Sequence, residues 1–290
     1  MLDMQLAIIP SRAAVGIQAP EVAVEVHVAG GLPGLTIVGL PATAVREAKD
    51  RVRAALQSCG FKLPPRKVTV NLAPADLPKH GGRFDLAMAL GILRASGQLE
   101  ADLDGLEFLG ELSLSGELRP VIAVLPAALA ARESGRGLVL PLGNHAEASL
   151  AQGARIHVAG HLLELVAALN GQAEWPAAGV SGHDSVQNHC PDLAEVSGQA
   201  QAKRALEIAA AGHHNLLMLG PPGSGKSMLA QRLPGICPPL AEAQAMELAS
   251  IRSSAGKPVD VHSWRDAPFR QPHHSASAPA LVGGGCKDHV

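Results

Sequence analysis

A glycine-rich run that joins an apolar segment to a helical one constrains this chain more than any other feature. Residues 220–227 read GPPGSGKS and fit the pattern G-x-x-x-x-G-K-[S/T]. The run follows the apolar segment NLLMLG, residues 215–220, and leads into KSMLAQRL, residues 226–233. We therefore predict a buried strand, a tight turn and a helix in that order, which is the context that this motif requires.

Such a turn binds phosphate through its backbone. Glycines let N–H groups curve around an anion without Cβ clashes, and the following helix adds unpaired N–H donors and the positive end of its dipole. We expect Lys226 to reach the β- and γ-phosphates of ATP and the Ser227 hydroxyl to join the Mg²⁺ shell. The predicted cofactor-binding residues are Gly220, Pro221, Pro222, Gly223, Ser224, Gly225, Lys226 and Ser227. The alternative is a glycine loop without a ligand.

Hydrolysis needs a second apolar strand that ends in acidic residues and holds Mg²⁺. The best candidate after Ser227 is Asp260 in KPVDVHSW, but a single valine precedes it and it is more typical of a loop acid. No such strand is found before Val290, and no catalytic residue is assigned.

The length and composition predict two domains. The chain has 290 residues, a formal charge of −2 and 47% hydrophobic residues, which is typical of a protein with buried cores. A polar stretch without periodicity separates two structured regions. We predict a first domain over 1–171, a linker over 172–192 and an ATP-binding domain over 193–290.

The first region alternates β-branched runs with helical patterns, which predicts an α/β or α+β domain. We expect strands at 6–10, 22–28, 35–40 and 68–72, helices at 41–59 and 84–97, a hairpin over 107–121, a helix over 121–135, strands at 137–142 and 154–160, and a helix over 161–171. A further helix is expected at 199–212.

Several function classes are disfavoured. Aromatic residues make up 2% of the chain, too few for a base-stacking platform. The four cysteines are far apart and give neither a zinc template nor a disulfide framework. The start of the chain lacks the basic residues of a signal peptide, and glycines and prolines interrupt both long uncharged stretches, so we expect a soluble cytoplasmic protein without a membrane span.

Two groups of residues leave alternatives open. Seven bases face two acids between residues 46 and 67, which is compatible with a nucleic-acid stripe; a solvated helix face with a Glu47–Arg51 pair is the favoured alternative. His213-His214 and His273-His274 invite a metal interpretation, but adjacent residues on a strand point to opposite faces, so structural or nucleotide-pocket roles are favoured. The bases are Arg46, Lys49, Arg51, Arg53, Lys62, Arg66 and Lys67, and the acids are Glu47 and Asp50.

With these motifs placed, nearly the whole chain resembles the magnesium-chelatase-like AAA+ ATPases of the YifB/ComM type. The resemblance rests on residues 24–41, 46–56 and 68–93 in the first region, and on residues 192–230 and 268–285 in the second. It implies a Lon-protease-like (ribosomal S5 domain 2-like) α+β domain followed by an incomplete P-loop AAA+ α/β domain. Complete relatives are expected to bind ATP and Mg²⁺, to form hexameric rings and, in the ComM branch, to act as DNA motors in recombination during natural transformation; this fragment is not expected to form the ring.

The resemblance also carries differences. Arg83 stands where a Lon protease has its nucleophile, and a guanidinium cannot act as one, which favours a scaffold or binding surface. After Gly285 the family continues into a Walker B acidic strand, sensor residues and an arginine finger, whereas this chain reads CKDHV; we expect a truncated or frame-shifted product in which NLLMLG lacks neighbours and the second half is unstable. The alternatives are a metal-chelatase ATPase subunit and a non-enzymatic binding domain formed by the first region.

Overall fold

The computed structural model describes residues 6–39, 43–177, 190–273 and 275–279, with only the backbone at 43–46. The chain divides into two compact units. The first comprises Met1–Gly182 with Ala249–Val259, and the second comprises His183–Leu248 with Asp260–Val290. The architecture is mixed α/β, as predicted.

A four-stranded sheet forms the centre of the first unit. Its strands are β1 (Leu6–Arg12), β2 (Glu21–Ala29), β3 (Gly34–Val38) and β4 (Lys67–Ala73), in the order β1-β2-β4-β3. β2 pairs antiparallel with β1 and β4, and β3 pairs parallel with β4. Alternate residues of β2 are buried, because successive side chains of a strand point to opposite faces. All four strands were predicted.

Two helices cover the buried face of this sheet. Helix α1 (Thr43–Ser58) buries Ala48, Val52, Ala55 and Leu56, which is the stripe predicted for it. Helix α2 (Asp85–Ala95) is buried at every position except Arg94 and packs on β1 and β2. The prediction of a helix enclosed between layers is confirmed.

The rest of the first unit has a smaller parallel sheet. Strands β5 (Leu106–Phe108), β8 (Gly137–Pro141) and β9 (Arg155–Ala159) lie in the order β5-β8-β9, while β6 (Glu111–Leu112) and β7 (Leu118–Arg119) form a hairpin. Helices α3 (Val124–Glu133), α4 (His145–Ala148) and α5 (Leu162–Leu169) complete it. The predicted hairpin over 107–121 was wrong at its start, because β5 pairs with β8 instead.

The second unit is helical in its described residues. It contains α6 (Ala200–Gly212), α7 (Lys226–Ala230), α8 (Leu233–Ile236) and the first half of α9 (Glu242–Ser254), and its buried cluster consists of Leu193, Val196, Leu206 and Leu229. Sequence patterns did not predict α8 or α9.

The prediction of a buried strand over NLLMLG, residues 215–220, was wrong. Residues 214–221 adopt no regular secondary structure, and Leu217 and Leu219 are 80% and 85% exposed. A strand forms only with a hydrogen-bonding neighbour, and no described residue pairs with this segment. The segment has the apolar composition of a strand, but no neighbouring strand among the described residues pairs with it.

Candidate functional site

The glycine loop, residues 220–227, connects residues 214–219 to α7. Gly223 and Gly225 have φ angles of +79° and +85°, which side-chain-bearing residues rarely adopt. A Cβ at Gly225 would lie 3.1 Å from Nε2 of Gln199 and 3.3 Å from Cε of Met228. Backbone conformation therefore favours glycine at 225, and a Cβ there would press on the ends of two flexible side chains.

The ammonium group of Lys226 is held inside this loop. Its Nζ donates hydrogen bonds to the carbonyl oxygens of Gly220 and Pro221, each at 2.8 Å, and to Oγ of Ser224 at 3.2 Å. All three partners are oxygen acceptors, the same kind of atom that a phosphate presents. The side chain is therefore long enough to reach the interior of the loop.

An open cavity of about 380 Å³ lies beside the loop. It is lined by helix α6, by residues 216–219 and by part of the glycine loop. Its polar side chains are those of Gln199, Ser224 and Lys226. Its walls are otherwise apolar, as is usual for sites that bind an organic ligand with a few oriented polar groups.

These residues fit a nucleotide phosphate and its metal. The glycine backbone leaves space that Cβ atoms would fill, Lys226 supplies the cation, and exposed Ser227 lies in the first turn of α7. The described residues contain no group of three or more His, Cys, Asp or Glu side chains that could hold an ion. Ser227 remains the protein ligand for Mg²⁺ that the motif predicts, with phosphate oxygens and water completing the shell.

Sequence reasoning missed Gln199. This residue precedes α6, has a left-handed backbone with φ +52°, and brings its amide against Gly225. The spacing along the chain held no signal for this contact, since 26 positions separate the two residues.

Asp260 has the environment expected of a loop acid. Its carboxylate accepts hydrogen bonds from the His262 N–H and the Ser263 hydroxyl, and these bonds lower its pKa. It therefore stabilises its own turn, as Asp side chains often do.

The first unit contains a second group of charged residues, around the start of α2. Asp85 is buried and accepts hydrogen bonds from Nε of Arg51 at 2.9 Å and from the Leu112 N–H at 3.3 Å. Burial raises the pKa of Asp85 to about 6, and the Arg51 guanidinium limits that rise. The suggested Glu47–Arg51 hydrogen-bonded pair was wrong. Arg51 donates its hydrogen bonds to Asp85, and Glu47 affects Arg51 through its charge.

The histidine pairs show no metal site within the described chain. His213 ends α6 and His214 donates its backbone N–H to the Ala209 carbonyl, while His273 bonds to Ser275. His274 and Cys286 lie outside the described residues.

Two family models match the chain. Residues 24–144 match the model described as subunit ChlI of Mg-chelatase, and residues 192–289 match that of magnesium chelatase, subunit ChlI. The chain is 53% identical over 287 residues to the competence protein ComM of Haemophilus influenzae. It is 48% identical over 285 residues to the YifB proteins of Salmonella typhimurium and Escherichia coli. The chain belongs to the ComM/YifB family.

Membership places the chain among magnesium-chelatase-like AAA+ proteins. These three matches cover 97% of this chain and 56% of each ComM or YifB protein. The chain therefore spans little more than half the length of these relatives. None of the helices described is both long and apolar enough to cross a membrane.

Proposed function

We propose that this ComM/YifB family chain binds ATP with Mg²⁺ at the glycine loop, residues 220–227. The observation that carries the proposal is the position of Lys226, whose Nζ donates to two loop carbonyls and the Ser224 hydroxyl. An anion that enters the loop offers this ammonium an ion pair, which adds the attraction of opposite charges to the hydrogen bonds that neutral carbonyls accept.

The remaining loop residues have separate tasks in this proposal. The backbone N–H groups around Gly223 and Gly225 donate to phosphate oxygens, since the left-handed glycines curve the chain around an anion. Ser227 presents its hydroxyl from the first turn of α7 to Mg²⁺. When bound, ATP supplies the phosphoryl group, and Mg²⁺ neutralises charge on it. In this proposal the residues of the glycine loop bind the nucleotide, and no acidic group for hydrolysis is assigned among the residues that the structure describes.

The finer organisation belongs to the proposal as well. We infer a Lon-protease-like first domain over 1–171, a linker over 172–192 and an AAA+ domain with a P-loop over 193–290, in a cytoplasmic protein. The mixed sheet with α1 and α2 on one face supports an α+β first domain. Arg83 at the position of the Lon nucleophile supports a domain without peptidase activity.

A fluorescent ATP analogue tests the binding proposal. Titration of the whole chain is expected to give saturable, Mg²⁺-dependent binding that Lys226→Ala weakens at least tenfold, because charge-assisted hydrogen bonds contribute about 1.5–3 kcal/mol. Lys203→Ala, on α6 of the same unit, removes a lysine outside the loop and should leave the affinity unchanged. Equal binding by the Lys226 and Lys203 variants would refute the assignment.

Action on DNA is the second part of the proposal. Identity of 53% to a competence protein supports it, and under this proposal the whole protein is a hexameric ring that moves on DNA. The Mg-chelatase description of both matching models supports the alternative of a metal-insertion subunit. A DNA-binding assay on the whole-length protein with ATP separates them, since a chelatase subunit is not expected to retain DNA.

A charge reversal locates any such DNA contact. Lys49 is half-buried, whereas Arg53 and Lys62 are exposed, and all three lie on or just after α1. Loss of DNA affinity on replacing all three by Glu would favour the nucleic-acid stripe, and unchanged affinity would favour the solvated helix face.

A further inference from the structure

Arg83 is a buried cation, and two of its three guanidinium nitrogens have no partner among the described residues. The residue is 4% exposed and precedes α2, and its Nε and Nη2 atoms have no hydrogen-bond partner among the described residues. Within the described part of the chain, its side chain makes one hydrogen bond, from Nη1 to the Ile122 carbonyl at 3.5 Å, the outer limit for such a bond. Burial lowers the pKa of Arg83 to about 10, and the group still carries its charge at neutral pH.

The two unpaired atoms form one edge of the guanidinium. Nε and Nη2 direct parallel N–H bonds to the same side, an edge that fits two oxygens of a carboxylate or phosphate. Arg12 uses this edge to bind both oxygens of Glu107, and Arg51 uses it to bind both oxygens of Asp85. In both cases the partner of this arginine edge is a carboxylate.

The nearby acids are placed elsewhere. Asp85 is engaged by Arg51 and by the Leu112 N–H. The Glu111 side chain lies against Gly82, where a Cβ would come within 2.6 Å of its Oε2. Neither carboxylate is bonded to Arg83 in this structure, and leaving a buried charge unpaired costs several kcal/mol. A buried, charged edge without a partner indicates a ligand position.

The cover over Arg83 is thin. Ile122, whose carbonyl contacts the guanidinium, is itself 57% exposed, so the surface is one residue away. The next residue, Ala123, has a left-handed backbone with φ +55°, which costs a non-glycine residue about 1–2 kcal/mol. The Ala123 N–H donates to the Ser253 carbonyl at 3.0 Å and holds this residue in place, so the path to Arg83 opens by movement of Ile122 alone.

We propose that Arg83 is the anchor of an oxyanion-binding site in the first unit, which takes a carboxylate or phosphate group on its Nε–Nη2 edge as Ile122 moves aside. This site is separate from the glycine loop, and its existence does not depend on ATP binding there.

The test follows unfolding of the first unit alone. The chain has two tryptophans; Trp264→Phe leaves Trp175, which packs on the first unit's core. Lys226→Ala in the same chain removes the cation of the glycine loop and so weakens phosphate binding there. Urea unfolding is then monitored through Trp175 in sodium chloride, sodium phosphate or sodium acetate at equal ionic strength, which holds general screening constant.

Phosphate or acetate is expected to raise the midpoint relative to chloride. At an anion concentration ten times the dissociation constant, the unfolding equilibrium constant falls about 11-fold. A response to phosphate alone identifies a phosphate-type ligand, and a response to acetate alone identifies a carboxylate. Arg83→Met should abolish the response without lowering the midpoint in chloride, because it removes a buried unpaired cation. Arg53→Met, on exposed α1 surface, should keep the full response.

Three results would each overturn the proposal. The first is equal midpoints in chloride, phosphate and acetate. The second is an anion response that survives Arg83→Met. The third is a lower midpoint in chloride for Arg83→Met matched by an equal loss in Glu111→Gln, which would show that Glu111 serves this edge in solution.

Discussion

Asp85 illustrates how burial sets the behaviour of a single residue. Its pKa is raised to about 6 by burial, although Arg51 and the Leu112 N–H favour its charged form. An unfolded Asp titrates near 3.9, so the folded state holds a proton between about pH 4 and 6 that the unfolded state has released. The stability contributed by this group is therefore present below pH 4 and is lost as the pH rises through 6.

We predict that Asp85→Asn removes this dependence. The free energy of unfolding should fall from pH 4 to pH 7 by on the order of 2 kcal/mol more in the unmodified chain than in the variant, since one pKa unit corresponds to about 1.4 kcal/mol. Urea unfolding at both pH values measures it. An identical change in the free energy of unfolding of the two proteins would show that the pKa of Asp85 is not raised.

Gly39 allows a test of close backbone approach. A Cβ at this position would lie 2.4 Å from the Leu72 carbonyl oxygen, and its φ is +96°. We predict that Gly39→Ala destabilises the first unit by about 2–4 kcal/mol, because strain and overpacking add. Gly60→Ala is the matched control, with φ +80° and no atom within 4 Å of its Cβ position. Similar losses in both variants would refute the role of the Leu72 contact.

For single residues, the sequence predicted those site residues that a run of consecutive positions identifies. Lys226 and the loop glycines could be assigned because eight consecutive residues carry the pattern. The Arg51–Asp85 and Gln199–Gly225 contacts could not, since each joins residues that only the fold brings together. The i,i+4 rule suggested Glu47 for Arg51, but a buried carboxylate was available to it and was the partner found.

Among the elements, α2 depends on a glycine in its middle. A Cβ at Gly91 would lie 2.5 Å from Cγ2 of Val26, so the helix backbone packs directly on β2. Alanine is the better helix former by about 1 kcal/mol, yet overpacking here should cost more. We predict that Gly91→Ala is destabilising and that Val26→Ala makes it less so.

A double-mutant cycle measures this coupling. The destabilisation caused by Gly91→Ala should shrink by about 1 kcal/mol in the Val26→Ala background, because the smaller residue makes room for the new methyl. Additive effects would mean that α2 does not rest on Val26.

Periodicity predicted the elements whose partners lie nearby. β2 alternates because one of its faces is buried, and α1 carries its apolar stripe because it packs on the sheet. Residues 215–220 are as apolar as any strand, but composition cannot supply the neighbouring strand that hydrogen bonding needs. The short strand β5 was assigned to a hairpin for a similar reason, since its actual partner β8 follows about 30 residues later.

For the whole molecule, the two units differ in how much apolar surface they bury. The first has a core that runs from β1 to α5, whereas the buried cluster of the second contains four of the residues that the structure describes. We predict that limited proteolysis cuts first between residues 213 and 222, where Leu217 and Leu219 are exposed, while the first unit persists. A protease-resistant fragment that contains Lys226 and lacks the first unit would contradict this difference in stability.

Amide hydrogen exchange across residues 220–227 tests the central claim most directly, because the proposed phosphate ligands are backbone N–H groups. Adding Mg-ATP to the chain should slow exchange in this segment, and Lys226→Ala should remove most of the effect at the same nucleotide concentration. Unchanged exchange across the loop at saturating Mg-ATP would contradict ATP binding at this site.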